Sequence, residues 1–193
     1  MLPEAGCSRC PELVANRRCI VSGYGDPQAQ LMIVGEAPGH RGADRTGVPF
    51  TGDRSGRRLQ ALLIGLGLSA ESDLALPAPR LRGVFVTNVV RCNPPGNRNP
   101  TAVEVANCAS YLWDELQRIR PRVVATCGLF AARWAFAELL HEAPPAGLRA
   151  LHGQSRQVGE VRVVFLVHPA RASAAQMGLA WRALEGALGL GPA

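Results

Sequence analysis

The chain has 193 residues, is 47% hydrophobic and carries a formal charge of +6. That length suits one domain with a core of its own, and that composition excludes a disordered chain. No apolar run reaches the ~20 residues of a membrane span, and the opening MLPEAGCSRCPE lacks the basic start and apolar stretch of a secretory signal, so a cytoplasmic protein is expected. In chain order, residues 31–34 (LMIV) form an apolar run that predicts a buried strand. Residues 55–66 predict a helix with Leu59, Leu62, Leu63 and Leu66 on one face. Residues 84–87 give a second strand. Thr101 and Glu104 form a capping box for a helix that carries Val105, Cys108, Leu112, Leu116 and Ile119 on one face. Residues 123–126 are a third strand, and Gly128 leads into a helix over 130–140. Residues 161–167 are a fourth strand, and Ser173 with Gln176 caps a final helix ending at about 188. The Pro- and Gly-rich stretches 75–83 and 143–153 read as surface loops.

Strands alternating with helices imply a three-layer α/β/α domain around a mostly parallel, four-stranded sheet. One domain over residues 1–193, with an N-terminal cysteine-bearing loop, is expected. In such sheets ligands bind beyond the C-terminal strand ends. Gly35-Glu36-Ala37-Pro38-Gly39 follows the first strand, Asn88 and then Arg91-Cys92-Asn93-Pro94-Pro95 the second, and His168-Pro169-Ala170-Arg171 the fourth. An acid, an amide and an imidazole therefore share one edge.

All 21 basic residues are arginine. Arginine's planar fork suits phosphate, so the charge fits a polyanionic partner; a bias set by genome base composition would give the same count. Without lysine, no side-chain amine is available for a Schiff base. A phosphate-binding G-x4-G-K-[ST] loop is absent, and Gly23-Tyr24-Gly25 is too weak a signal for a dinucleotide site.

Six cysteines stand at 7, 10, 19, 92, 108 and 127. Cys7 and Cys10 form C-x2-C, and Cys92 and Cys108 have fifteen residues between them. Two such pairs are able to close one four-thiolate site, for zinc or for an iron–sulfur cluster. Cys19 and Cys127 read as ordinary buried or spare thiols, Cys127 in the third strand as a small core residue.

GEAPG after a strand, PFTGD a few residues on, TNVVRCNPPGNRNPT, and HPA near the C-terminus together resemble the iron–sulfur uracil-DNA glycosylases, families four and five of that superfamily. The resemblance runs from Cys7 to about Arg171. GEAPG resembles family four, whereas GADRTG-x-PFTGD is closer to family five, and His40-Arg41-Gly42-Ala43-Asp44 departs from the acidic pair common in family four. The resemblance implies a uracil-DNA glycosylase-like fold and a [4Fe-4S] cluster on Cys7, Cys10, Cys92 and Cys108. It implies hydrolysis of the N-glycosidic bond of deoxyuridine in DNA. Glu36 would position water and stabilise the cationic sugar, and His168 would donate to a uracil oxygen. Gly35, Ala37, Phe50 and Asn88 would hold the flipped base, with Phe50 stacking on it and Asn88 reading its edge. Arg171 and Ser173 would belong to the loop that enters the DNA helix, with the N-terminus of the last helix near a phosphate, and Pro94 and Arg98 to a second clamp on the backbone. The missing lysine argues for a monofunctional enzyme that leaves an abasic site. A monomer acting on uracil-containing DNA at the nucleoid, without a membrane, is the expectation. The alternatives are a glycosylase of broader range (hypoxanthine, xanthine), a damaged-DNA-binding protein without turnover, and a zinc-stapled nucleotide-binding domain.

Overall fold

The computed structural model describes residues 6–190. The buried apolar runs become β2 (Leu31–Gly35), β3 (Val84–Asn88), β4 (Val123–Cys127) and β6 (Val161–Leu166). These four pair in parallel in the order β3-β2-β4-β6. Strands buried on both faces are continuously apolar, which is why they are readable as runs.

The sheet has six strands rather than four. β1 (Tyr24–Gly25) adds antiparallel to β3, and β5 (Ser155–Val158) antiparallel to β6. β1 is two residues long and β5 is the polar, exposed SRQV, so neither carries an apolar pattern. Short polar edges also discourage edge-to-edge pairing.

Alternation along the strands supplies two cores. Met32, Val34 and Phe85 pack with Leu112 of helix α4 (Ala102–Ile119) and with Trp134 of helix α5 (Leu129–Ala135). Leu31, Ile33, Val84 and Val86 pack on the other face with Leu59 and Leu63 of α3 (Arg54–Gly65) and Leu184 of α6 (Ala174–Leu188). This is the expected three-layer arrangement. Both expected capping boxes form, Thr101 with Glu104 and Ser173 with Gln176. Two short helices, α1 (Pro11–Asn16) and α2 (Ala43–Thr46), complete the chain. α5 continues as a π-helical turn over Phe136–Leu140.

The turn after β3 is held by a buried charge pair. Arg91 Nη2 donates to Glu115 Oε2 at 2.6 Å, with the two side chains only 1% and 4% exposed. Thr87 donates to the same carboxylate oxygen at 2.7 Å and itself accepts from Arg91. Gly23 N–H donates to Glu115 Oε1. Two of its members, Thr87 and Arg91, are the chain neighbours of Asn88 and Cys92.

Candidate active site

Three strand ends build the site. Gly35 and Asn88 are register partners at the ends of β2 and β3, and His168 lies two residues beyond β6. Gly35, Glu36, Ala37, Phe50, Asn88 and His168 line one cavity of about 100 Å3, together with Asp53 and Ser55. All six residues expected at the base and the reacting sugar are thus brought together. A side chain at position 35 has no room. A Cβ there would collide with Asn88 Oδ1 and stand 2.7 Å from the Phe50 ring. Glycine is the residue that allows amide and ring to converge. Phe50 adopts the left-handed conformation (φ 54), which is uncommon for a bulky residue.

The cavity opens into a cleft of about 750 Å3. Pro94, Arg98 and Arg171 line it, as do His40, Arg41, Arg54 and Arg133. Ser173 is the exposed N-cap of α6 and accepts from Gln176 N–H. Arg98 is already committed. Its guanidinium donates to Glu12, at 2.9 Å, and to both oxygens of Glu104. It ties α1 to the start of α4, so its charge is largely spent inside the protein. Asn93, 1% exposed, donates to Pro38 O and to Asn97 Oδ1, and so locks the GEAPG loop against the Pro94 loop.

Burial of Glu36 raises its carboxyl above the ordinary value of 4.5, and Arg171 offsets part of this. Burial likewise lowers the imidazole of His168; Asp53 pulls it up and Arg171 pushes it further down. Burial thus favours the neutral form of the His168 imidazole. Ala170 N–H points at His168 Nδ1 at 3.4 Å, which leaves the proton on Nε2. A neutral Nε2–H donor and a desolvated carboxylate thus face one small cavity, a pairing of perturbed groups typical of catalytic sites.

Asp53 lines both the cavity and the cleft, yet was visible in the sequence only as part of TGD. It caps α3 through Gly56 N–H and accepts from Ser55. Its capping contacts are local to α3, whereas its place on the cavity and the cleft comes from the fold.

The four thiols expected to bind metal come from the α1 end and from β3–α4. Cys92 lies within electrostatic reach of Cys7 and Cys10, and Cys108 of Cys92 and Cys10. Each sulfur has a donor. Arg17 Nη1 reaches Cys92 Sγ at 3.3 Å, Asn107 reaches Cys10 at 3.4 Å, and Tyr111 reaches Cys7 at 3.6 Å. The Arg91 backbone N–H serves Cys108. Burial raises the thiol of Cys92 and pushes that of Cys108 up to about 11. Burial acts upward on Cys7 too, but the Arg9 N–H, the Tyr111 hydroxyl and the Arg9 and Arg17 charges bring it below the ordinary value. Among the described residues no group of three or more His, Cys, Asp or Glu is close-set enough for a single metal ion. Four thiols within mutual electrostatic reach, each with a donor at its sulfur, fit a thiolate-bound metal centre, whose properties depend on such hydrogen bonds. Cys127 is fully buried in β4, as expected, and Cys19 donates to Asp44 O.

The parallel sheet thus gathers an acid, an amide, a ring and an imidazole at its strand ends, beside an arginine-lined cleft. The family description "Uracil DNA glycosylase superfamily" matches residues 22–185. A type-5 uracil-DNA glycosylase of Pyrobaculum aerophilum is 38% identical over 180 residues, covering 84% of this chain and 77% of its own. A type-4 uracil-DNA glycosylase of Archaeoglobus fulgidus is 35% identical over 168 residues, covering 85% and 76%. A type-5 uracil-DNA glycosylase of Thermus thermophilus is 42% identical over 129 residues, covering 58% and 57%. The chain belongs to the uracil-DNA glycosylase superfamily.

Proposed function

We propose that this protein excises uracil from DNA by hydrolysing the N-glycosidic bond and leaves the sugar–phosphate backbone intact. One observation carries the reading: a desolvated carboxylate, a buried amide, an aromatic ring and a neutral imidazole surround a cavity sized for one base. The flipped uracil stacks on Phe50. The Asn88 amide offers one donor and one acceptor to the uracil edge, a pairing that the amino group of cytosine would break. His168 Nε2–H donates to a uracil carbonyl oxygen as negative charge grows on the leaving base. Glu36, ionised, faces the sugar, steadies its oxocarbenium character and orients the attacking water. The backbone of Gly35 and Ala37 closes the wall.

Arg171, with Arg41, Arg54 and Arg133, supplies charge for the phosphates. Arg98 is better placed as a brace that holds Pro94 in the cleft. Cys7, Cys10, Cys92 and Cys108 are the proposed ligands of a [4Fe-4S] cluster, which when bound supplies a structural cross-link between the N-terminal segment and the β3–α4 loop. In this reading the protein is one domain, works as a monomer and acts on chromosomal DNA in the cytoplasm.

The test uses end-labelled oligonucleotides carrying one uracil opposite G, opposite A or unpaired. Strand cleavage at uracil that appears only after hot alkali supports the reading. Cleavage without alkali contradicts the monofunctional assignment. Excision of hypoxanthine or xanthine but not uracil moves the substrate class, and silence on all three refutes the enzyme reading.

A further inference from the structure

The segment between β6 and α6 carries His168 and Arg171, and its own bonds form only a local turn: Arg171 and Ala172 N–H donate to His168 O, and Ala170 N–H to His168 Nδ1. Most of it is exposed or half-exposed, with Pro169 and Ala172 as its buried anchors. Two side chains from elsewhere grip it. Val167 N–H donates to His152 Nδ1 at 3.1 Å. Because Nδ1 accepts, the proton of the neutral ring sits on Nε2, which donates to Gln176 O at 2.9 Å. Gln176 in turn closes the Ser173 capping box, donating from its backbone to Ser173 Oγ and accepting from Ser173 N–H. One imidazole therefore joins the residue before His168 to the first turn of α6. Arg58 grips the middle: its Nη1 donates to Pro169 O at 2.9 Å and to Ala172 O at 2.5 Å.

Neither side chain lines the small cavity or the wider cleft. His152 is 7% exposed and has a partner on both ring nitrogens. Its own segment is anchored independently, since Gly153 N–H donates to Phe165 O. We propose that His152 and Arg58 are positioning residues for the reaction: the imidazole fixes both ends of the loop that presents His168, and the guanidinium fixes the stretch that presents Arg171 to DNA. The inference rests on the proposed glycosylase reading for its kinetic half and on the structure alone for its dynamic half. Ordering a loop of this length opposes a backbone entropy cost at every residue, and these contacts offset it. Displacing a reacting group by about 1 Å costs on the order of 100-fold in rate.

The experiment compares His152→Leu, His152→Gln and Arg58→Met with wild type, all carrying the full metal complement. Amide hydrogen exchange over residues 167–172 is read first, because it does not depend on activity. His152→Leu and Arg58→Met are expected to exchange about fivefold faster there, the scale of one lost hydrogen bond. His152→Gln, which keeps an acceptor and a donor, stays near wild type. On uracil-containing DNA, His152→Leu lowers the single-turnover rate by about 10–100-fold with little change in Kd. Arg58→Met chiefly raises Kd. A role limited to global stability would lower Tm without this split between rate and affinity. Unchanged loop exchange in both variants overturns the proposal, whether or not the protein excises uracil. So does faster exchange with rate and Kd both unmoved in an enzyme that does excise uracil. Faster loop exchange in a protein that excises nothing upholds the clamp and refutes the glycosylase reading alone. Arg58 is only half-buried, so Arg58→Met keeps the test open if His152→Leu does not fold.

Discussion

Replacing Glu115 by Leu should destabilise the protein far more than an average substitution, because it strands a charge. Arg91 is 1% exposed and its Nε already lacks a partner among the described residues. Without Glu115, its guanidinium retains Thr87 as the one acceptor seen in the network. Breaking a buried pair from one side costs about 3–5 kcal/mol, a large share of the ~5–15 kcal/mol that holds a domain folded. At about 2–4 °C per kcal/mol for a chain of this size, Tm should fall by roughly 6–20 °C. Arg91→Met combined with Glu115→Leu removes both charges and should recover most of that loss, since replacing a whole buried pair by apolar groups is often neutral. Thermal melts of the two single variants and the double variant, followed by circular dichroism, give the comparison. A single-variant loss below ~1 kcal/mol, with no recovery in the double, would refute the view that this pair is dry and mutually dependent. The result bears on function, because the same turn carries Asn88 into the cavity and Cys92 toward the thiol cluster.

Three further outcomes follow from the site. Glu36→Gln should raise Tm at pH 7. The folded carboxyl titrates above its ordinary 4.5, so the folded state holds more protons than the unfolded chain in that window, and stability falls as pH rises through it. The gain should vanish below pH 4.5, where both forms are protonated, and melts across pH would show it. Gly35→Ala should cut uracil excision by about 100-fold at a stability cost of about 1–3 kcal/mol, because its Cβ enters the space of Asn88 and Phe50; single-turnover rates beside a melt check both figures. On the proposed cluster assignment, Cys108→Ser should abolish bound iron and sulfide and make residues 7–17 sensitive to protease, which metal analysis and limited proteolysis would reveal.

Much of this was legible from sequence where burial imposes a pattern. The four parallel strands are apolar on both faces, so LMIV, VFVT, VVAT and VRVVFLV stand out, and the residues just after three of them could be named as a site. The edge strands escaped because a two-residue bridge and an exposed SRQV have no burial to report. His152 sits in a stretch whose prolines and glycines signal a surface loop, yet His152 and Leu148 are buried. Its role depends on Val167 and Gln176, partners that no local spacing announces. Arg98 stood in a basic, Pro-rich loop and read as a phosphate contact. One of its carboxylate partners, Glu12, lies 86 residues away in sequence. Side-chain pairing across the fold is the information that periodicity lacks.

In the proposed reaction the Glu36 carboxylate drives base excision from the end of β2. The most direct measurement is the single-turnover excision rate of Glu36→Gln on a uracil-containing duplex, with Kd for the same duplex measured alongside. The rate should fall by about 10²–10⁴-fold, the range of a lost acid–base group, with affinity unchanged or improved as a buried charge is removed beside the proposed phosphate-binding surface. A near wild-type rate from folded protein would contradict it and move the chemistry to another group lining the cavity, with Asp53 first in line.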